Sequence, residues 1–205
     1  MSQPEPATAE KDARLARLQA VIALGDWKSL RELRHAAPAG EPDAEWREAF
    51  LMSHLFAGFP RAVEASLVLQ RAGGLGEPSA EECATEPTEP AAGRPLFETI
   101  YAGQTETVLG MLRGGHPAFE EWILGHAYGR VLSRPGLSAA RRELLACAAL
   151  TALGQDRQLG SHVRGALRCG AAMGQIEAML DAIADLVEAS QFERCREVVR
   201  HFAKR

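Results

Sequence analysis

The 205-residue sequence lacks the features that mark several large functional classes. No run approaches the roughly 18 consecutive apolar residues of a membrane span. The polar, acidic start MSQPEP does not look like a secretory signal. Basic residues do not outnumber acidic ones, since the net charge is −4, so nucleic acid is not the expected partner. We therefore expect a cytoplasmic protein that binds neither membranes nor nucleic acids.

Motifs for metal ions and nucleotides are also missing. The sequence contains neither H-E-x-x-H nor C-x-x-C, and no glycine-rich phosphate loop follows a strand. Its cysteines are scattered, and most fall in predicted helices, which indicates buried thiols in a reducing compartment rather than a disulfide framework. These cysteines are Cys83, Cys147, Cys169 and Cys195. We expect no metal and no cofactor.

Helical periodicity dominates what is present, and no convincing period-two strand is found. Glycine, proline and capping residues divide the apolar pattern into segments with short connections, which favour antiparallel neighbours. The predicted helices cover residues 11–24, 26–36, 42–57, 60–73, 95–103, 104–113, 117–132, 139–153, 156–169, 174–187 and 190–203. The sequence therefore predicts an all-α protein.

The helical segments form two halves. A disordered tail is expected over residues 1–10, followed by an N-terminal helical half over 11–72. Residues 73–94 are rich in Gly, Pro and Glu and contain no lysine. This composition is typical of a flexible acidic linker. A second helical half is expected over 95–205.

An internal repeat relates the two halves. The tripeptide Ala-Leu-Gly occurs at 23–25, with Leu30 following, and again at 152–154, with Leu159 following. A shared tripeptide also arises by chance. The matched helix-loop-helix layout around it nevertheless favours a duplication in which each half covers the apolar face of the other.

The clearest motif lies in the C-terminal half. It consists of an R-P-G-L-S loop at 134–138, a helix carrying Glu143, an A-L-G corner at 152–154, and His162 on the next helix. With this combination the chain resembles the carboxymuconolactone decarboxylase / alkylhydroperoxidase D-like (AhpD-like) family. The resemblance implies an all-α, AhpD-like helical bundle, here built from two repeated helical halves.

A second element of that family is the corner F-A-G-F-P-R-A at 56–62. In single-domain members it follows the histidine helix, whereas here it lies far upstream. The first half also has Arg14 and Leu33 where the second has Glu143 and His162. Each half has kept a different portion of the pattern, so together they would form one composite site per chain.

Glu143 and His162 are the candidate catalytic pair. They lie eleven residues before and eight residues after Gly154. On antiparallel helices that rise about 1.5 Å per residue, these offsets give both side chains a comparable depth. A carboxylate beside an imidazole fixes the ring's tautomer and supports general acid–base catalysis. Spacing alone fits a buried polar pair better, but the resemblance reverses this preference because both positions match the family's motif.

Other side chains are candidates for binding the substrate. Because a guanidinium grips a carboxylate at two points, Arg134, Arg142 and Arg164 are candidates for holding a substrate carboxylate. A partly buried structural role is the alternative for the histidine and tyrosine candidates. The remaining candidates for substrate binding are His54, Phe59 and Tyr128.

The chain departs from the family's peroxidase branch at that branch's paired cysteines. The matching positions hold Gln155 and Gln158, which removes the disulfide relay and argues against hydroperoxide reduction by that route. Cys147 lies one helical turn after Glu143. It is a candidate for a single catalytic thiol, with a small buried hydrophobic residue as the alternative.

Three functional hypotheses follow. The first is a cofactor-free lyase of the carboxymuconolactone decarboxylase type, which acts on a small carboxylated or lactone-like metabolite through Glu143 and His162. The second is an alkylhydroperoxidase-like antioxidant protein that uses Cys147 alone. The third is a non-catalytic relative that retains the duplicated fold. The resemblance also implies a homo-oligomer, either a trimer or a hexamer.

Overall fold

The protein is all-α, as predicted. The structure is a computed structural model and describes residues 6–84 and 90–203, within which helices and turns occur without any strand. The α-helices are α1 (Pro6–Leu24), α2 (Trp27–His35), α3 (Asp43–Arg71), α4 (Pro90–Tyr101), α5 (Thr105–Gly115), α6 (Pro117–Glu121), α7 (Ala139–Ala152), α8 (Asp156–Arg168), α9 (Met173–Asp181) and α10 (Ala189–Ala203).

Helices α1 and α7 form the centre of the bundle, and they pack against each other. On α1 the side chains of Leu15, Leu18 and Ile22 are fully buried. On α7 every residue from Arg142 to Ala152 is buried. Helix α3 covers α1 and helix α8 covers α7, so each central helix is sheltered by a neighbour from its own half.

Both central helices end in the same kind of corner. After α1, Gly25 has φ +73°, and the N–H of the next residue, Asp26, donates to the Val21 carbonyl. After α7, Gly154 has φ +65°, and the Gln155 N–H donates to the Leu150 carbonyl. This six-to-one hydrogen bond with a left-handed residue defines the Schellman C-cap, which favours glycine.

Each corner is also held by a side chain from a later helix. Arg61 on α3 donates to the Ala23 carbonyl. Gln191 on α10 donates to the Thr151 carbonyl at 2.7 Å and to the Ala152 carbonyl at 3.1 Å. Matching positions of the proposed repeat, Ala23 and Ala152, therefore receive matching support. The duplication itself stays a prediction.

Helix α3 contains the predicted break before Pro60. Gly58 has φ +79° and ψ 160°, which lies outside the helical region. Proline is tolerated at the start of a helix because the N–H group that it lacks would have no hydrogen-bond partner within the helix. The segment that follows therefore runs in a new direction, and the corner at 56–62 is a real bend between two helical pieces.

The predicted helix over 117–132 differs in the structure. Only α6 is α-helical, and Trp122–Leu132 continues as a π-helix. Its closest neighbour is α4, where Gly93 packs directly on the π-helix backbone. A Cβ at Gly93 would lie 2.0 Å from the Leu124 carbonyl oxygen and 2.6 Å from the Gly129 nitrogen. Glycine is therefore required at this crossing.

The segment expected to be a flexible linker is anchored at several points. Arg34 donates to the Gly74 carbonyl at 2.9 Å. Arg47 donates to the Leu75 carbonyl and forms a two-point ion pair with Glu82 at 2.7 and 2.8 Å. Two backbone carbonyls and the Glu82 side chain of this segment are therefore bound by arginines of the N-terminal half.

The ends of the expected segments also shift. Residues 90–94 belong to α4 rather than to a linker, whereas residues 85–89 lie outside the described residues. At the N-terminus α1 begins at Pro6, inside the expected tail over 1–10, and residues 1–5 are not described. Composition alone predicted these bounds, and it does not show contacts such as that of Gly93 with the π-helix backbone.

Candidate functional site

Glu143 and His162 meet between α7 and α8. The Glu143 side chain is 1% exposed and that of His162 is 13% exposed. The Glu143 Oε2 atom lies 2.9 Å from His162 Nδ1. Because an ionised carboxylate only accepts hydrogen bonds, Nδ1 carries the proton in this contact, and Nε2 is the nitrogen left for other partners. The structure thus brings the two residues together, and their catalytic role stays a prediction.

Gly165 makes room for this pair. It lies one turn after His162 on α8, and its backbone packs against the Glu143 carboxylate. A Cβ at this position would lie 2.2 Å from Glu143 Oε2 and 3.0 Å from Ile100 Cγ2. The absence of a side chain therefore lets the carboxylate approach α8 closely enough to reach the imidazole.

His162 lines a cavity of about 970 Å³. The cavity lies between α4, α5, the π-helix and α8, with the end of α7 and the region of α3 before its break completing the wall. Glu143 lies behind His162 and does not line the cavity. Phe56, from the F-A-G-F-P-R-A corner, packs edge-on against the His162 ring with 5.8 Å between ring centroids. The corner therefore contributes to the site, as the composite-site hypothesis expects.

Three aromatic side chains form one wall of the cavity. Phe97 and Tyr101 on α4 pack against Tyr128 of the π-helix, with ring centroids 4.3 to 6.4 Å apart. The Tyr128 hydroxyl donates to the Tyr101 hydroxyl at 3.4 Å, a long contact for two hydroxyl groups. Burial raises the pKa of both phenols, and the nearby Glu143 charge acts in the same direction. Both phenols are therefore neutral donors at physiological pH.

Arginines on α8 supply the positive charge of the cavity. Arg157, Arg164 and Arg168 all line it. Arg164 donates to Ser161 Oγ at 3.4 Å, and Arg168 donates to the Ile100 carbonyl at 2.6 Å. Of the arginines that the sequence suggested, only Arg164 lines this cavity. Arg168 and Tyr101 were missed because nothing in their local sequence shows that α4 and α8 face each other.

Arg134 and Arg142 occupy a different place from the one expected. Both bind Glu48, a residue of α3 that is 1% exposed. Arg134 grips its carboxylate at 2.9 to 3.0 Å, and Arg142 donates to it at 2.8 Å. Gly136 allows this approach, because a Cβ there would lie 2.9 Å from Glu48 Cγ. The R-P-G-L-S loop therefore fastens the second half to α3, and neither arginine lines the cavity.

His54 and Phe59 lie beside the cavity rather than in its wall. His54 Nδ1 is 2.5 Å from the Leu51 carbonyl oxygen, and its Nε2 is 2.8 Å from Nε2 of His126, which does line the cavity. Phe59 is 65% exposed and stacks on His54 with a centroid distance of 4.8 Å. Burial lowers the pKa of His126, and the His54 and Arg130 charges lower it further.

Cys147 has no accessible surface. It does not line the cavity. Burial raises its pKa well above the ordinary value, and the Glu143 charge raises it further. Gln155 and Gln158, which were expected to match the family's paired cysteines, do line the cavity. Two amides therefore contribute to the cavity wall, whereas Cys147 does not.

Two further observations concern metals and membranes. Among residues 6–84 and 90–203, no three His, Cys, Asp or Glu side chains come together in a way that would hold a metal ion. In the same part of the chain, no helix has both the length and the apolar character needed to span a bilayer.

Comparison with known proteins supports the motif assignment. Residues 117–201 match the model of the carboxymuconolactone decarboxylase family. Peroxisomal protein 2 of Schizosaccharomyces pombe is 28% identical over 149 residues, which are 70% of this chain and 68% of that protein. The 4-carboxymuconolactone decarboxylase of Acinetobacter baylyi is 34% identical over 62 residues, which are 30% of this chain and less than half, 46%, of that enzyme. Residues 117–201 of this chain are therefore similar to the carboxymuconolactone decarboxylase family.

Proposed function

We propose that this protein is a cofactor-free enzyme of the carboxymuconolactone decarboxylase type, which acts on a small carboxylated or lactone-like metabolite. The observation that carries this proposal is the 2.9 Å contact between Glu143 and His162, with the imidazole at the wall of a cavity of about 970 Å³. A paired, half-buried imidazole at a cavity wall is well placed for proton transfer.

The proposed reaction breaks the bond between the substrate's carboxyl carbon and its ring. The electron pair moves into the conjugated lactone carbonyl to form a dienolate, and carbon dioxide leaves. His162, protonated at Nε2, then gives this proton to the dienolate carbon, and a proton from water restores the imidazolium. Glu143 accepts from Nδ1 throughout, which orients the ring and stabilises its positive charge. One proton is consumed per carbon dioxide released.

Arg164 is proposed to bind the substrate's anionic oxygen atoms. It lies two residues after His162 on α8 and lines the same cavity. A guanidinium offers two parallel donors to a carboxylate. Of the three arginines that the sequence analysis considered for this role, Arg164 is the one that lines the cavity, whereas the guanidinium groups of Arg134 and Arg142 bind Glu48.

Carbon dioxide release from a panel of carboxylated lactones, including 4-carboxymuconolactone, tests this proposal. We expect E143Q and H162Q to lower kcat by about 100-fold or more, because a positioned acid or base contributes roughly 10²–10⁴-fold. R164Q is expected to raise KM with a smaller effect on kcat. The exposed residues Glu64 and His35 provide matched controls, since E64Q and H35Q make the same changes away from the cavity. If E143Q and H162Q turn over the substrate as fast as the wild type, the acid–base assignment is refuted. If the wild-type protein is inert across the panel, the non-catalytic alternative is supported.

No observation favours the thiol-based alternative. Cys147 has 0% exposure, and the partly buried Cys169 has a pKa raised to about 11, first by burial and then by the Glu143 charge. A thiol must ionise to attack a peroxide. The four cysteines are unpaired, which supports our proposal that the protein works in a reducing compartment such as the cytoplasm.

We also propose that the chain forms a homo-oligomer, a trimer or a hexamer. Phe59, Val63 and Leu67 recur every fourth residue on α3 and are 65%, 57% and 39% exposed. Such a stripe on one helix favours burial against a second copy. Light scattering of the wild type and of a V63E/L67E variant tests this: the variant is expected to dissociate, and a wild-type protein that is monomeric would contradict the proposal.

A further inference from the structure

We propose that the cavity binds amphipathic monocarboxylates whose apolar body is larger than a single lactone ring, with the anionic head against the arginines of α8. This inference rests on the cavity of the proposed function, but it concerns the class of ligand and not the reaction. Charge, surface character and size support it separately.

The charge of the cavity wall is one-sided. The wall contains three arginines, Arg157, Arg164 and Arg168, and no aspartate or glutamate. This contrasts with the net charge of −4 for the chain. Within the described part of the chain none of the three forms an ion pair. Arg157 contacts Met111 Sδ, Arg164 contacts Ser161 Oγ and stacks over the Phe202 ring, and Arg168 donates to the Ile100 carbonyl. The wall itself therefore carries positive charge without a carboxylate of its own, while Glu143 lies behind His162. Such a surface favours an anion.

The rest of the wall is mainly apolar. Aliphatic and aromatic side chains line it from every side, among them Phe97, Ile100, Leu112, Ile123, Leu132 and Leu150. Apolar lining also continues to the surface, where Met111, Phe119 and Trp122 are 53%, 45% and 68% exposed. An inorganic anion would leave this surface unused, whereas an acyl or aromatic body would cover it.

The cavity also has more room than a small lactone fills. A carboxylated muconolactone has about thirteen heavy atoms, and at roughly 30 Å³ for each, the share of one water molecule in liquid water, it fills about 400 Å³. That is less than half of the 970 Å³ available. Cavities near the top of the ~300–1,000 Å³ range suit ligands of drug size. A carboxylate with an extended chain or a fused ring system matches both the volume and the lining.

Calorimetric titration with a series of carboxylates tests the inference. Butanoate, octanoate and dodecanoate separate chain length, naphthoate replaces the chain with rings, and octanamide removes the charge. Affinity is expected to rise about three- to fourfold per methylene, in line with about 0.8 kcal/mol for each buried CH₂. Octanoate should therefore bind about 100-fold more tightly than butanoate. Octanamide should bind at least tenfold more weakly than octanoate.

Variants show whether binding takes place in this cavity. The double variant R164Q/R168Q is expected to weaken octanoate binding by at least tenfold. R113Q removes an α5 arginine that does not line the cavity and that pairs with Glu120 of α6. This variant should change the affinity for octanoate less than twofold. V108W fills the cavity from α5 and should abolish octanoate binding while the far-ultraviolet circular dichroism stays unchanged.

The results distinguish this inference from the proposed reaction. Tight, arginine-dependent binding of octanoate without any carbon dioxide release supports the ligand class and refutes the reaction. Carbon dioxide release from small lactones without any gain in affinity along the chain series refutes the ligand class and leaves the reaction intact. Equal binding of octanoate and octanamide, or no effect of R164Q/R168Q, overturns the inference.

Discussion

Replacing Gly165 with alanine adds one methyl group at the contact between α8 and the Glu143 carboxylate. Ordinary contacts of a Cβ begin at about 3.4 Å, whereas this Cβ would lie 2.2 Å from Glu143 Oε2. The carboxylate must therefore retreat by about 1 Å, away from His162. Overpacking of this kind costs about 1–3 kcal/mol, and the better helix propensity of alanine returns about 1 kcal/mol. We expect the free energy of unfolding in urea to fall by up to about 2 kcal/mol.

Gly160 on the same helix provides the matched control. It is buried, and its added Cβ would meet Val198 and Phe202 only at 3.6 Å or more, so G160A is expected to be neutral or to stabilise by up to about 1 kcal/mol. In an E143A background the carboxylate is gone, so G165A should lose most of its penalty, which gives a coupling energy of about 1–3 kcal/mol. Equal effects of G165A in both backgrounds would refute the proposed contact.

Other predictions follow from the packing and the charges. G93A places a Cβ 2.0 Å from the Leu124 carbonyl oxygen, so urea unfolding should show a free energy of unfolding lower by at least about 1–3 kcal/mol. A G93A variant as stable as the wild type would contradict the close packing of α4 on the π-helix. Arg47 lowers the pKa of Glu82 to about 2, below its unfolded value, so this pair's contribution is complete above about pH 4.5 and is lost as the pH falls towards 2. E82Q should therefore flatten the stability profile in that window, and an unchanged slope would count against the pair. Cys147 should react with thiol reagents only as fast as the protein unfolds, because it is fully buried; rapid labelling of the native protein would revive the thiol alternative.

Local sequence rules account for most of the helical framework. The glycine of each A-L-G corner predicted a helix end, and both glycines adopt the left-handed conformation that a C-cap needs. Serine is a favoured N-cap residue, and the Ser138 hydroxyl accepts from the Arg141 N–H at 3.3 Å at the start of α7. These features depend on a few neighbouring residues, so the sequence contains the whole signal.

The site depends on contacts that no local rule describes. The guanidinium groups of Arg134 and Arg142 have their partner on α3, more than 80 residues away in the chain. Arginine suits a substrate carboxylate and a buried glutamate equally well, so residue type alone does not separate these roles. The π-helix at Trp122–Leu132 was also missed. An apolar pattern of period 3.6 does not reveal where backbone hydrogen bonds join residues five apart in place of residues four apart.

The central claim is that Glu143 holds the His162 imidazole through Nδ1 and leaves Nε2 for the substrate. Nitrogen NMR of histidine-labelled protein tests this directly, with H162Q to assign the signal. We expect neutral His162 to carry its proton on Nδ1 in the wild type and E143A to shift the population towards the Nε2–H form. A wild-type ring protonated on Nε2, or a tautomer unaffected by E143A, would contradict it.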